Sequence, residues 1–177
     1  MCASNQSPGE AIVLRPMTVW TLAVDSSTQT PVVVLKELDG ERMLPIWIGF
    51  FEATILASEL KGIRFSRPMT HDLIENILNL VELKVTRIEI HRRINNICCA
   101  TTYINHIGKE FAIDARPTDA LMLSLRFDAP ILVADEIIHK SKQITLSKES
   151  GHKPTRENKW KQVLERLRPE DFGKYPM

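Results

Sequence analysis

FAIDARPTDA, residues 111–120, is the stretch on which the reading of this chain turns. Phe111, Ile113 and Ala115 alternate with Ala112, Asp114 and Arg116, the two-residue period of a strand. Pro117 ends the alternation, and behind it Asp119, Leu121, Met122 and Leu125 fall at helical spacing. A strand therefore turns directly into a helix, and the corner holds two carboxylates and a guanidinium. Such corners carry chemistry, and carboxylates also cap helices, so both readings start level.

Upstream of the corner, residues 83–90 alternate cleanly as a strand with one slip near Thr86, and Arg92 to Asn96 reads as a polar turn. Two further strands, over 97–104 and 109–115, are joined through Asn105-His106-Ile107-Gly108. Downstream, the helix runs over 117–127, a short strand follows over 130–134, and DEIIHKSK opens a short helix.

The N-terminal half adds a strand over 17–24 and the β-branched run PVVVLKEL over 31–38, which suits a buried strand. Asp39-Gly40 is a hairpin signal, so 31–38 and 41–48 should be antiparallel neighbours. Gly49 breaks the pattern, a helix follows through Lys61, and Gly62 stops it. Thr70 is the expected N-cap of a second helix that ends near Val81. Trp160, Val163, Leu164 and Leu167 recur at i, i+3, i+4 and i+7, so a terminal amphipathic helix is expected.

This order of elements predicts an α+β domain: a mixed, largely antiparallel sheet packed with about three core helices, plus the C-terminal helix. Residues 1–16 read as a disordered lead-in, 17–141 as the domain, and 142–177 as a basic linker and helix.

Composition narrows the function. Apolar residues make up 44% and charged residues 25% of the 177, as in ordinary soluble globular proteins. Neither a secretory signal nor a membrane-length apolar run is visible, and a reducing cytoplasm is the expectation. Cys2, Cys98 and Cys99 offer neither a disulfide framework nor metal-ligand spacing. Residues 1–138 hold 13 Lys/Arg against 17 Asp/Glu, whereas 139–168 hold 9 against 3. A slightly acidic body thus carries a basic tail, which counterion release rewards for touching phosphates, weakly and without sequence choice. Walker, GxGxxG, HExxH, GxSxG and paired CxxC signatures are all missing.

Three acidic residues open three expected helices. With Gly49 as N-cap, Glu52 is N3; with Arg116 as N-cap and Pro117 at N1, Asp119 is also N3; Asp72 lies two residues after Thr70. First-turn carboxylates satisfy orphan N–H groups and complement the dipole, typically by ~0.3–1 kcal/mol, so capping accounts for each alone. The catalytic reading is that several of them meet at one cleft. Asp114, Asp119 and Glu52 could share a divalent cation, Mg²⁺ or Mn²⁺, with Asp72 as the other contender for a place beside the first two. Arg116 could hold a phosphate oxygen, or simply pair with Asp114 or Asp119. His71 could act as a general base or ligand, or merely be exposed. Trp47 and Phe50-Phe51 could stack bases, or pack in the core.

Three longer stretches then resemble one family. PVVVLKELDGERMLPIWIGFFEA, RPMTHDLIENIL and FAIDARPTDALMLSLRFDAPILVADEII, in this order, are similar to the bifunctional nuclease family of small bacterial and plant-organelle proteins. The resemblance covers about residues 17–140. It implies a compact α+β domain with a mixed sheet, association as a homodimer or higher homo-oligomer, and hydrolysis of both DNA and RNA. By position, the polar residues that match are Glu52, His71, Asp72, Asp114, Arg116, Asp119 and Glu136. The expected function is a metal-assisted nuclease of low sequence specificity with nucleic acid as substrate; the competing expectation is a noncatalytic oligomeric binding or regulatory module.

Overall fold

A computed structural model describes residues 12–94 and 97–139 of the chain. Its strands are β1 (Leu14–Val24), β2 (Pro31–Glu37), β3 (Met43–Trp47), β4 (Lys84–Ile94), β5 (Ile97–His106), β6 (Lys109–Ala115) and β7 (Ile131–Ala134). Its helices are α1 (Phe50–Leu60), α2 (Thr70–Leu80), α3 (Pro117–Phe127) and the short α4 (Asp135–His139). The strands form one seven-stranded sheet in the order β3-β2-β1-β7-β4-β5-β6. Its described pairs are antiparallel except β4 with β7, so the sheet is mixed and the α+β expectation holds.

Backbone pairing extends several elements beyond their side-chain pattern. β1 starts at Leu14 rather than 17 because Leu14 to Met17 pair with Ala134 to Ile131 of β7, taking residues from the expected lead-in into the sheet. Arg92 and Arg93, read as part of a turn, continue β4 and pair with Cys99 and Cys98. Polar side chains do not end a ladder whose bonds are made by N–H and C=O groups. The slip near Thr86 is real: the β4–β5 register shifts between Val85 and Arg87, the mark of a bulge.

The Asp39-Gly40 turn joins β2 to β3 as an antiparallel pair, as the hairpin signal requires. Pro31 to Leu35 are buried at every position, which the unbroken PVVVL run foretells. Leu35, Leu56, Ile88, Ile90, Leu121 and Val133 form the centre of the main core, under α1 and α3. Gly62 ends α1 at φ +66, a left-handed position that glycine takes without strain.

The helices are clamped by one buried cation. Arg126, in the last turn of α3, has a side chain only 3% exposed and reaches Glu59 of α1 at 2.8 Å and Asp72 and Glu75 of α2 at 2.5 and 2.7 Å. Three helices are thereby fixed to one another beside the strand-to-helix corner. The expected C-terminal helix and basic linker lie outside the described residues.

Candidate active site

The site is built where β6 hands over to α3. Arg116, in extended backbone at φ −68 and ψ 148, is the N-cap of α3, and Pro117 follows at N1, where its missing N–H costs no helical bond. Asp119 is therefore N3, one turn into the helix. On α1, Gly49 is the N-cap and Glu52 is N3, as the sequence suggests. A Cβ at Gly49 would collide with the Glu52 carboxylate, so glycine is what lets that side chain fold back over the helix start.

α2 starts differently from expectation. Met69, not Thr70, is the N-cap, and Thr70 is already the first helical residue. The Asp72 carboxylate makes this possible, because Oδ2 accepts the Met69 N–H at 2.5 Å from within the helix. Asp72 thus occupies N3 too. Its other oxygen accepts from Arg126 at 2.5 Å. Burial pulls its carboxyl up, but the Met69 N–H and Arg126 outweigh that and hold it below the usual carboxylate range. Asp72 belongs to the helix clamp and does not border the clefts at Arg116.

Asp119 is employed in another way. Both of its oxygens accept from side chains: Oδ2 from Arg116 Nε at 2.8 Å, and Oδ1 from Arg116 Nη2 at 3.1 Å. Across from them, His71 Nε2 of α2 lies 3.4 Å from the same Oδ1. Arg116 Nη1 then reaches Glu52 Oε1 of α1 at 3.4 Å. One guanidinium joins the first turns of α1 and α3, and His71 adds α2 from the other side. Burial pushes the Asp119 carboxyl up, yet the Arg116 hydrogen bonds and charge, helped by His71, keep it ionised below its ordinary range. Asp119 raises the affinity of the Arg116 guanidinium for its proton in return.

Two clefts meet at this group. One, of about 790 Å³, runs past Trp47, Gly49, Cys98 and Thr118. The other, of about 710 Å³, runs between β5, β6 and α2 and is walled by apolar side chains such as Ile74, Leu78, Ile104 and Leu123. Glu52, Asp114, Ala115, Arg116 and Asp119 border both, and His71 lines the second. Asp114 borders both clefts at the end of β6, where it pairs with Thr101; strand alternation turns its side chain to the face opposite Ile113, Ala115 and the cleft wall at Thr102. Glu136, on α4, borders neither cleft. Thr102, in the wall of the apolar cleft, is a residue that sequence alone does not single out; its place between buried Ala100 and Ile104 is the faint signal.

For a metal ion, the chemistry of the donor set is suitable but the cage is incomplete. Among the described residues no group of three His, Cys, Asp or Glu side chains is arranged to hold a metal ion. Glu52 and Asp119 do converge on one cation, and that cation is Arg116. Two hard carboxylates of this kind match Mg²⁺, which commonly takes one or two protein carboxylates and completes its shell with water and substrate phosphate.

Comparison with known proteins fixes the family. The bifunctional nuclease domain profile matches residues 33–146, which include Glu52, His71, Asp72, Asp114, Arg116, Asp119 and Glu136. The chain belongs to the bifunctional nuclease domain family. An uncharacterized protein of Mycobacterium tuberculosis is 32% identical over 158 residues, covering 85% of this chain and 93% of that protein. Bifunctional nuclease 2 of Oryza sativa subsp. japonica is 25% identical over 136 residues, 75% of this chain and 38% of its own length. Bifunctional nuclease 1 of Arabidopsis thaliana is 23% identical over 107 residues, 58% of this chain and 33% of its own. The bifunctional nuclease domain of this chain therefore places Glu52, His71, Arg116 and Asp119 in one charged group, and sets Asp72 apart from it. Among the described residues no helix is long and apolar enough to cross a membrane.

Proposed function

We propose that this chain is a nuclease that hydrolyses phosphodiester bonds of DNA and RNA with little sequence preference. One observation carries the reading: Asp119, unlike Asp72 at the same helical position, spends its oxygens on Arg116 and His71 at the junction of two clefts. Capping explains Asp72. It does not explain Asp119.

In the proposed mechanism Arg116, two-thirds exposed, exchanges the 3.4 Å contact of its Nη1 with Glu52 for a phosphate oxygen and stabilises the charge that builds at phosphorus. His71 Nδ1 is buried, so Nε2 is the ring nitrogen that faces the cluster. The attacking water passes its proton to the Nε2–Oδ1 pair of His71 and Asp119 as its oxygen bonds to phosphorus. The bond from phosphorus to the leaving sugar oxygen breaks, and that oxygen takes up a proton from solvent. A divalent cation, Mg²⁺ or Mn²⁺, held on Glu52 and Asp119, would supply the additional positive charge that a phosphate needs beside three carboxylates and one guanidinium. Asp114, at the shared border of the clefts, adds to the negative field that such a cation would neutralise.

The working unit is proposed to be a homo-oligomer, supported by the unequal edges of the sheet. Leu44 to Ile46 of β3 are buried, whereas Lys109 to Asp114 of β6 are exposed and include Phe111 and Ile113. A long edge strand with exposed apolar side chains is a template for pairing. A cytoplasmic setting is proposed from the sequence alone, whose three cysteines form no disulfide framework.

The competing reading, a noncatalytic binding module, draws on the acidic character of the group. Purified protein, assayed on labelled DNA and RNA strands with and without EDTA, separates the two. The nuclease reading expects both strands to be cut, EDTA to stop the reaction, and Arg116→Ala to slow it by about 10²–10³-fold. Cleavage by Arg116→Ala at the wild-type rate would overturn the site, and cleavage in EDTA would remove the metal.

A further inference from the structure

The two clefts at Arg116 diverge from one shared wall, and this bears on what kind of strand can bind. The wall consists of Glu52, Asp114, Ala115, Arg116 and Asp119. From it one cleft runs toward β3 and the start of β5, past Trp47 and Cys98. The other runs the opposite way along β5, past Thr102 and Ile104, and beneath Ile74 and Leu78 of α2. Each lies in the range of about 300–1,000 Å³ typical of small-molecule sites.

An aromatic ring stands at each. Trp47 is 37% exposed, and its Nε1 donates to Asp25 Oδ2 at 3.0 Å, which fixes the plane of the indole. Phe51 is 62% exposed and lines the apolar cleft next to Glu52. The apolar cleft also has two polar atoms that its walls leave unanswered. Thr102 Oγ1 and His71 Nδ1 are buried and have no hydrogen-bond partner among the described residues. A ligand with flat apolar faces and polar edges suits such a wall better than an aliphatic one does.

We propose, resting on the nuclease reading above, that the clefts are the seats of the two nucleosides flanking the phosphate at Arg116, and that the substrate is single-stranded or locally unpaired. Trp47 stacks one base and Phe51 the other. Neighbouring bases in a duplex are stacked about 3.4 Å apart. A wall of packed side chains cannot enter that gap, since carbon atoms in contact already sit about 3.5–4.0 Å apart. The strand must therefore splay at the phosphate. Splaying is inexpensive for a single strand and costs a few kcal/mol where bases are paired. Because every base has a stacking face, the arrangement is indifferent to sequence.

The test compares kcat/KM for a single strand, for the same strand fully paired, and for the same strand with abasic sugars flanking one phosphate. The single strand should be cut about 10- to 100-fold faster than the duplex. Trp47→Ala and Phe51→Ala should each slow cleavage of the intact single strand by about 5- to 150-fold, the usual range for losing a stacked base. On the abasic strand the wild type should lose activity, and the two substitutions should add little to that loss, because ring and base act as a pair. Equal rates on duplex and single strand would overturn the proposal, as would losses of the same factor on intact and abasic strands. Failure of the nuclease reading is distinguishable: the wild type then cuts no strand at all. In that event, anisotropy with a labelled oligothymidylate decides, and binding that weakens in both variants upholds the seats. No binding, or binding indifferent to Trp47 and Phe51, overturns them.

Discussion

Asp72 and Asp119 occupy the same position, N3, in two neighbouring helices, and neutralising each should have opposite consequences. Asp72→Asn removes the anionic partner of the Met69 N–H and one of three carboxylates on Arg126, a side chain only 3% exposed. Glu59 and Glu75 still hold the guanidinium, so the loss should be that of one or two charge-assisted bonds, about 1.5–3 kcal/mol. For a domain of this size that lowers Tm by roughly 4–15 °C. The folded fraction should still cut at the wild-type rate. Asp119→Asn weakens pairing with Arg116, whose side chain is 66% exposed, and solvent screening keeps that contribution below about 1 kcal/mol. Its Tm should shift by only a few degrees, roughly 2–5 °C, while cleavage of a labelled strand falls about 10²–10⁴-fold. Differential scanning fluorimetry and single-turnover cleavage, run on the same preparations, read both effects. An Asp119→Asn protein that melts early and cuts normally, or an Asp72→Asn protein that is stable and inactive, would refute the separation.

Three other outcomes follow from the same geometry. Arg126→Met leaves Glu59, Asp72 and Glu75 without their buried cation, with only the exposed Arg64 at 3.9 Å from Glu59 and Asp72, so the urea midpoint should fall by the equivalent of about 3–5 kcal/mol; a change below about 1 kcal/mol would mean that the clamp is ornamental. Asp135 is held below the usual range by hydrogen bonds from Arg15 and Arg42, and Asp72 and Asp119 are likewise depressed in the fold. The unfolded chain therefore binds more protons as these groups titrate, so stability should be flat above about pH 5 and fall below about pH 4; a rise on acidification would contradict the ion-pair assignments. If β6 is the pairing edge, Phe111→Lys and Ile113→Lys should shift sedimentation toward the monomer without lowering Tm by more than about 1–3 °C, and unchanged sedimentation would remove β6 from the interface.

Much of this site is legible in the sequence because it is local. Pro117 fixes where α3 begins, so Arg116 as N-cap and Asp119 as N3 follow from spacing alone. Glu52 follows in the same way from Gly49. Thr70 misleads because a threonine before an apolar run resembles a cap, while the carboxylate that closes the turn sits inside the helix at Asp72. Arg92 and Arg93 mislead because their polarity resembles a turn signal, whereas the ladder they continue is made by backbone groups. What periodicity cannot carry is the encounter of His71 with Asp119, 48 positions apart, which depends on how α2 lies against α3. Arg126 is invisible for a related reason: a basic residue in the last turn of a helix looks like dipole complementation, and its three partners come from two other helices.

Whether the cluster of Arg116, Asp119 and His71 cuts phosphodiester bonds is tested most directly by following cleavage of a labelled single strand through successive, chemically different columns, for wild-type and Asp119→Asn protein prepared side by side. The expected result is activity that rises and falls with the wild-type protein peak at constant specific activity, and its loss from the equally folded variant. Activity that separates from the protein peak, or that is equal in both preparations, would contradict it.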